Sequence, residues 1–178
     1  MLDLDSYLDK AADKIAREVI FNAKRNLAKE GKGNGSLAKS LSYKNKGTRR
    51  GLDIVLNMEE HGVYVDRGVR GKGGSKADGT KWKTKKVKNT PFQFKSETAN
   101  IDAISKWVDK KGIRPKNKNG KTISKKSMVF AIAKSVSHTG IKTTHFFTKA
   151  LDKALESAEK HIGEEVSKFI ESSLKGLK

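Results

Sequence analysis

The chain predicts an α+β fold: a small antiparallel β-sheet packed with helices, long N- and C-terminal helices, and extended basic arms or loops. Three observations carry that expectation. Apolar residues keep a helical period over roughly 25 residues at each end of the chain. A short run between them alternates apolar and polar residues with the period of a half-buried strand. No strand–helix–strand rhythm supports a parallel sheet. At 178 residues the chain reads as one domain, 1–178, with room for two small ones.

The N-terminal helix is expected from Leu4 to Ala28. Leu4, Leu8, Ala11, Ile15, Val19, Ala23 and Leu27 recur every three or four positions and so share one face. Asp3, Asp5 and Asp9 stand where the helix dipole favours negative charge, and Lys29 followed by Gly31 closes the helix. Residues 31–35 form a flexible break. Residues 36–44 are open to a helical turn or a strand, and the four-residue spacing of Leu37 and Leu41 favours the turn. Leu52, Ile54 and Leu56 alternate with Asp53, Val55 and Asn57, which predicts a strand. A second short strand is expected at Val63–Val65, ended by Gly68, with the two pairing antiparallel.

Gly71, Gly73, Gly74 and Gly79 then stand among seven lysines, with Trp82 and Val87 as the large apolar residues. Such a stretch buries too little surface to offset its ordering entropy, so a mobile basic arm is expected at about 71–89. The even spacing of Lys81, Lys83 and Lys85 also fits one face of a basic β-hairpin. Asn100 as a cap, Asp102 in the first turn, Ile101, Ile104 and Val108 as the stripe, and Gly112 as the exit predict a helix over Asn100–Lys111. A second basic loop, at about 114–126, is marked by Pro115 and Gly120. Met128–Val136 reads as the most buried helix, ended by Gly140. From Phe147 to Leu174 the helical period holds for roughly 28 residues, about 42 Å of helix. Its far end must pack on the N-terminal helix or on another subunit.

Hydrophobic residues make up 35% of the chain and charged residues 33%, enough apolar material for one modest core. The absence of cysteine excludes disulfides, thiolate metal sites and cysteine catalysis. The start lacks the basic stretch and apolar run of a secretory signal, and no apolar run approaches the ~18 residues of a membrane span. A soluble protein made in the cytoplasm is therefore expected. His61, His138, His145 and His161 lack metal-ligand spacing, and His138 reads as a core or helix-capping residue. Gly68–Gly74 lacks the Gly-Lys-Ser/Thr ending of a nucleotide-binding loop. No catalytic residue, cofactor or metal is expected, and the chain reads as a non-enzyme.

Charge gives the partner class. From Val65 to Lys126 there are 19 Lys or Arg against 5 Asp or Glu, whereas Met1–Glu30 and Lys149–Lys178 each carry six of either sign. A field of one sign concentrated in one segment attracts polyanions, partly through release of their counterions. The candidate contacts to DNA or to an acidic protein face are Arg67, Arg70, Lys72, Lys76, Lys81, Trp82, Lys83, Lys85, Lys86, Lys88, Arg114, Lys116, Lys118 and Lys121. Trp82, Phe92 and Phe94 offer rings for stacking on unpaired bases, although Phe92 and Phe94 around Gln93 read more readily as one face of a short strand.

Three landmarks in fixed order add a resemblance. Gly35-Ser36-Leu37-Ala38-Lys39-Ser40-Leu41-Ser42 follows the first helix, Tyr64-Val65-Asp66-Arg67-Gly68-Val69-Arg70-Gly71 lies mid-chain, and Phe146-Phe147-Thr148-Lys149-Ala150-Leu151 opens the last helix. Together they resemble the tail-completion or head–tail joining (neck) proteins of tailed bacteriophages. Val69 stands where that family usually has Thr, and its usual Pro before the Phe is absent. The resemblance implies a structural virion protein of the neck or upper tail. As a subunit of a homo-oligomeric ring it would join the portal-bearing head to the tail and surround the DNA path. Its implied partners are portal or adaptor and tail-tube proteins, with non-specific contact to packaged DNA and none to membrane. Its implied location is the virion, after synthesis in the host bacterial cytoplasm. The alternative from the residues is a basic, non-specific nucleic-acid-binding protein.

Overall fold

The computed structural model describes residues 4–48, 51–85, 87, 89–114, 120 and 122–175, and its fold is α+β. In chain order its elements are α1 (Leu4–Lys29), α2 (Ser36–Ser40), β1 (Ser42–Thr48), β2 (Gly51–Asn57), α3 (His61–Arg67), β3 (Val69–Arg70), α4 (Ile101–Lys111), α5 (Lys125–Thr139), β4 (Gly140–Ile141) and α6 (Thr148–Lys175). They fall into two compact units, one of Met1–Gly62 with His145–Lys178 and one of Val63–Thr144.

The first unit is built on α1 and α6, which run antiparallel. Tyr7 near the start of α1 meets Ser172 and the Phe169 ring near the end of α6, and Asn26 near the end of α1 donates to the Phe146 carbonyl just before α6. Ala11, Ala12, Ile15, Ala16, Val19, Ala23 and Leu27 are buried, so small residues occupy much of the seam and let the two backbones approach. Ile15, Val19 and Ala154 form the core cluster, with Phe147, Leu151, Ala158 and Ile162 of α6 and Ile54 and Leu56 of β2 packed on it. The far end of the long C-terminal helix thus finds its cover on the N-terminal one. Gly31 (φ +69°) ends α1, with Lys32 N–H bonded to the Leu27 carbonyl and Gly31 N–H to that of Ala28.

β1 and β2 form a hairpin in register from Ser42↔Asn57 to Thr48↔Gly51. Ile54 and Leu56 turn inward while Asp53, Val55 and Asn57 are exposed, as the alternation predicts. The partner of this strand, however, is β1 and not Val63–Val65. The ambiguous stretch 36–44 divides, one helical turn to Ser40 and a strand from Ser42. Val63–Val65 is helical, inside α3. The last carbonyls of α3 have partners far along the chain. Thr143 Oγ1 donates to the Arg67 carbonyl at 2.9 Å and Thr144 Oγ1 to that of Val65 at 2.8 Å. Those bonds satisfy a helix end that local sequence leaves open.

In the second unit β3 pairs antiparallel with β4, and Arg70 bridges Gln93 in parallel through Arg70 N–H to Phe92 O and Phe94 N–H to Arg70 O. The helix α4 is punctuated as expected. Asn100 Oδ1 accepts from Ala103 N–H at 3.0 Å, and Gly112 sits at φ 61° in the left-handed region. Val108, Met128 and Val129 are its buried cluster, with Ile104, Ile123 and Ile132 packed around them. Met128–Val136, expected to be the most buried helix, is not buried all round. Its burial is one-sided, since Met128, Val129 and Ala133 are buried while Phe130 is 51% exposed. A run of apolar residues in a helix sweeps all round it, so one of them must point away from a one-sided neighbour.

Candidate interface of the basic unit

The charge surplus follows the structural division. Residues 63–144 hold 21 Lys or Arg against 5 Asp or Glu, a surplus of 16 of the chain's 19. Two of those five carboxylates are engaged by lysines: Glu97 by Lys72, and Asp109 by Lys125 at 2.7 Å. Asp78 turns back on its own loop, accepting from Thr80 Oγ1 at 2.6 Å and from Thr80 N–H at 3.0 Å. These hydrogen bonds, the side-chain one foremost, hold its carboxyl below the usual range.

The basic stretch is organised by the end of α5. Lys72 N–H donates to the Ser137 carbonyl, Gly73 N–H to that of His138, and Lys85 N–H to that of Thr139. Between these ties Ser75 bridges Lys81 antiparallel around the Asp78–Gly79 turn. Trp82 lies half-buried with its ring stacked on that of His138, centroids 5.1 Å apart and planes 15° apart. Lys76 Nζ sits 5.2 Å from the Trp82 centroid, a cation–π distance. One face of the tryptophan is therefore spent on the protein. Its Nε1 is buried without a partner among the described residues.

His138 is 5% exposed, in keeping with the core role its place in the sequence suggested. Nδ1 is 2.5 Å from the Gly73 carbonyl and Nε2 is 3.1 Å from Glu97 Oε2, so both ring nitrogens face acceptors. Lys72 and then His138 hold the Glu97 carboxyl below its ordinary range. Sequence reasoning missed this Lys72–Glu97–His138–Trp82 group. Its members lie up to 66 positions apart, and none has a spacing that announces the others.

The predicted contact residues divide as follows. Arg67, Arg70, Lys72, Lys76, Lys81, Lys83, Lys85 and Arg114 are all exposed. Lys81, Lys83 and Lys85 share the stretch that Trp82 anchors. Lys86, Lys88, Lys116, Lys118 and Lys121 lie outside the described residues. Phe92 packs edge-on against Tyr64, centroids 4.8 Å apart, and Phe94 continues the backbone pairing with Arg70. That bears out their strand-like reading. Gly68 and Gly71 of the 68–74 loop, with Gly140 opposite, stand where backbones pass closely. A Cβ on Gly71 would strike the His138 carbonyl, and one on Gly140 would come within 2.5 Å of the Val69 carbonyl.

The arrangement suits long-range attraction of a polyanion and phosphate contact by mobile side chains. Among the described residues no group of three or more His, Asp or Glu is placed to hold a metal, and no helix is long and apolar enough to cross a membrane. The three landmark segments fall at element junctions: 35–42 spans α2 into β1, 64–71 spans α3 through Gly68 into β3, and 146–151 begins α6. Compared with family models, with curated proteins and with solved structures, the chain matches none of them.

Proposed function

We propose that this chain is a structural subunit of the neck or upper tail of a tailed bacteriophage, a head–tail connector or tail-completion ring subunit. In that role it joins the portal-bearing head to the tail and surrounds the DNA path. The observation that carries the reading is the confinement of the cationic surplus to one unit, residues 63–144, beside a first unit of nearly balanced charge. A connector needs these two properties apart. The balanced unit supplies packing surface for neighbours, with Leu155, Ile170 and Leu174 of α6 exposed. The basic unit faces DNA or acidic neighbours. The order of the three landmark segments supports the same reading.

A passage must let DNA slide, so binding by single subunits is expected to be blind to sequence and weak, near the ~10⁻⁴–10⁻⁶ M of non-specific association. Light scattering after size-exclusion, with and without head and tail proteins, should reveal rings or assembly-dependent oligomers. DNA titrations over a range of salt should give a log–log slope of about −0.9 per phosphate neutralised. Replacing Lys81, Lys83, Lys85 and Lys86 together by Ser should flatten that slope and reduce joining of tails to heads. A monomer that binds DNA at nanomolar, salt-resistant strength would instead favour the free nucleic-acid-binding protein.

A further inference from the structure

His138 lies in the last turn of α5 with both ring nitrogens against acceptors. Nδ1 is 2.5 Å from the Gly73 carbonyl and Nε2 is 3.1 Å from Glu97 Oε2. A carbonyl has no proton to give. Neither has Glu97 near neutral pH, because the Lys72 ammonium holds its carboxyl below the ordinary range. A neutral imidazole carries one N–H and can serve one of these acceptors, whereas an imidazolium carries two and serves both. The geometry is that of the charged ring.

Two further features of the surroundings favour that charge. The last turn of α5 is the negative end of a helix dipole, and the face of Trp82 is stacked on the ring, centroids 5.1 Å apart. Burial and the nearby cations act against it. Lys72 is bound to Glu97, and Lys76 Nζ lies 5.2 Å from the Trp82 centroid. Lys85 reaches α5 through its backbone, and Lys134 stands one turn earlier on α5 itself.

His138 also joins three pieces of chain: its own helix, the 72–85 loop through Gly73 and Trp82, and the segment before α4 through Glu97. The amides of Lys72, Gly73 and Lys85 add backbone bonds from the loop to the end of α5. The closed loop also carries an unmet group. Trp82 Nε1 is buried without a partner among the described residues, and opening returns it to water. One charge-assisted hydrogen bond is therefore a sizeable share of what keeps the loop closed.

We propose that His138 is a proton-operated latch on the basic loop. Charged, it binds Gly73 and Glu97 together and closes residues 72–85 on α5. Neutral, it leaves one of those acceptors without a donor, and the loop opens. Imidazole is the side chain whose ordinary titration falls between about pH 5 and 8. The closed form prevails at the acid end of that range and gives way as pH rises. On the acid side the bond to Glu97 ends only when that carboxyl protonates, below the usual carboxylate range. Lys81, Lys83 and Lys85 ride on this loop, so the proton sets how freely they move, whatever the basic unit binds.

The test is amide hydrogen exchange of the full chain by NMR from about pH 5 to pH 8, each rate divided by the intrinsic rate at that pH. Protection of the Gly73 and Lys85 amides, which bond to α5, should fall about three- to tenfold across that range. The Ile104 amide, bonded to the Asn100 carbonyl in α4, should stay protected. The nitrogen shifts of the His138 ring should show two N–H groups at the acid end. His138→Phe keeps a ring for Trp82 to stack on and has no nitrogens, so its protection should be low and flat with pH. Glu97→Gln, at an exposed side chain, should move the fall to lower pH. Four results would overturn the latch: parent protection that ignores pH, a fall that persists in His138→Phe, a single N–H on the ring at the acid end, or equal loss at Ile104, which would be unfolding of the whole unit.

Discussion

His138 shows how much one side chain organises in the basic unit. Its ring backs Trp82, and its two nitrogens face Gly73 and Glu97. Each hydrogen bond lost is worth about 0.5–1.5 kcal/mol net, and the ring stack a similar amount. His138→Ala should therefore raise the open population of the 72–85 stretch by roughly tenfold. Trypsin cleavage after Lys81, Lys83 and Lys85 tracks that population, and an unchanged cleavage rate would show that the stack holds nothing in place. Glu165 is the corresponding residue in the first unit. It is 3% exposed, with Lys14 Nζ and Lys168 Nζ each 2.7 Å from Oε1. Those two hydrogen bonds bring its carboxyl down to about 2. Since an unfolded glutamate titrates at about 4.3, the stabilisation is complete above roughly pH 5 and is lost as pH falls toward 2. The Tm difference between the parent and Glu165→Gln should be widest near neutral pH and close on acidification. A gap independent of pH would refute the ion-pair assignment.

At the scale of elements, α5 offers a test of which face is core. Val129 is 3% exposed in the cluster with Val108 and Met128, Ile132 lies at its edge, and Phe130 is 51% exposed. Burying an unpaired carboxylate is costly, whereas surface changes stay within about 0.5 kcal/mol. Denaturant unfolding should rank Val129→Asp most destabilising, Ile132→Asp next at about 2–4 kcal/mol, and Phe130→Asp near neutral. Equal costs at the three positions would deny the one-sided packing of this helix. The helices whose ends are written locally, with Asn100 and Gly112 around α4, were legible from sequence. The helix α3 was not, because Thr143 and Thr144 satisfy its last carbonyls from more than 70 positions away.

Over the whole molecule, the division of charge coincides with the division into units, and the proposed role rests on that coincidence. If the basic unit is the face that meets DNA, lysine acetylation footprinting with duplex DNA should protect Lys81, Lys83 and Lys85. Lys10 and Lys168 of the first unit should remain reactive. Uniform protection across both units would point to a diffuse cloud of charge, and protection confined to the first unit would shift the interface to α1 and α6.

The sequence alone determined the elements whose cause is periodic or local. Apolar stripes specify α1 and α6, the alternation of Leu52–Asn57 specifies β2, and capping residues specify α4, because each signal lies within a few turns of the chain it shapes. It also located the cationic stretch. Only the tertiary structure decided which strand β2 pairs with, since β1 carries too few apolar residues for its period to announce it. It likewise decided that His138, Glu97, Lys72 and Trp82 meet, and that Lys14 of α1 meets Glu165 of α6. Those groups come from positions tens to more than a hundred residues apart. Their meeting is set by how α1 packs on α6 and how the 72–85 stretch lies along α5, and no local pattern encodes either.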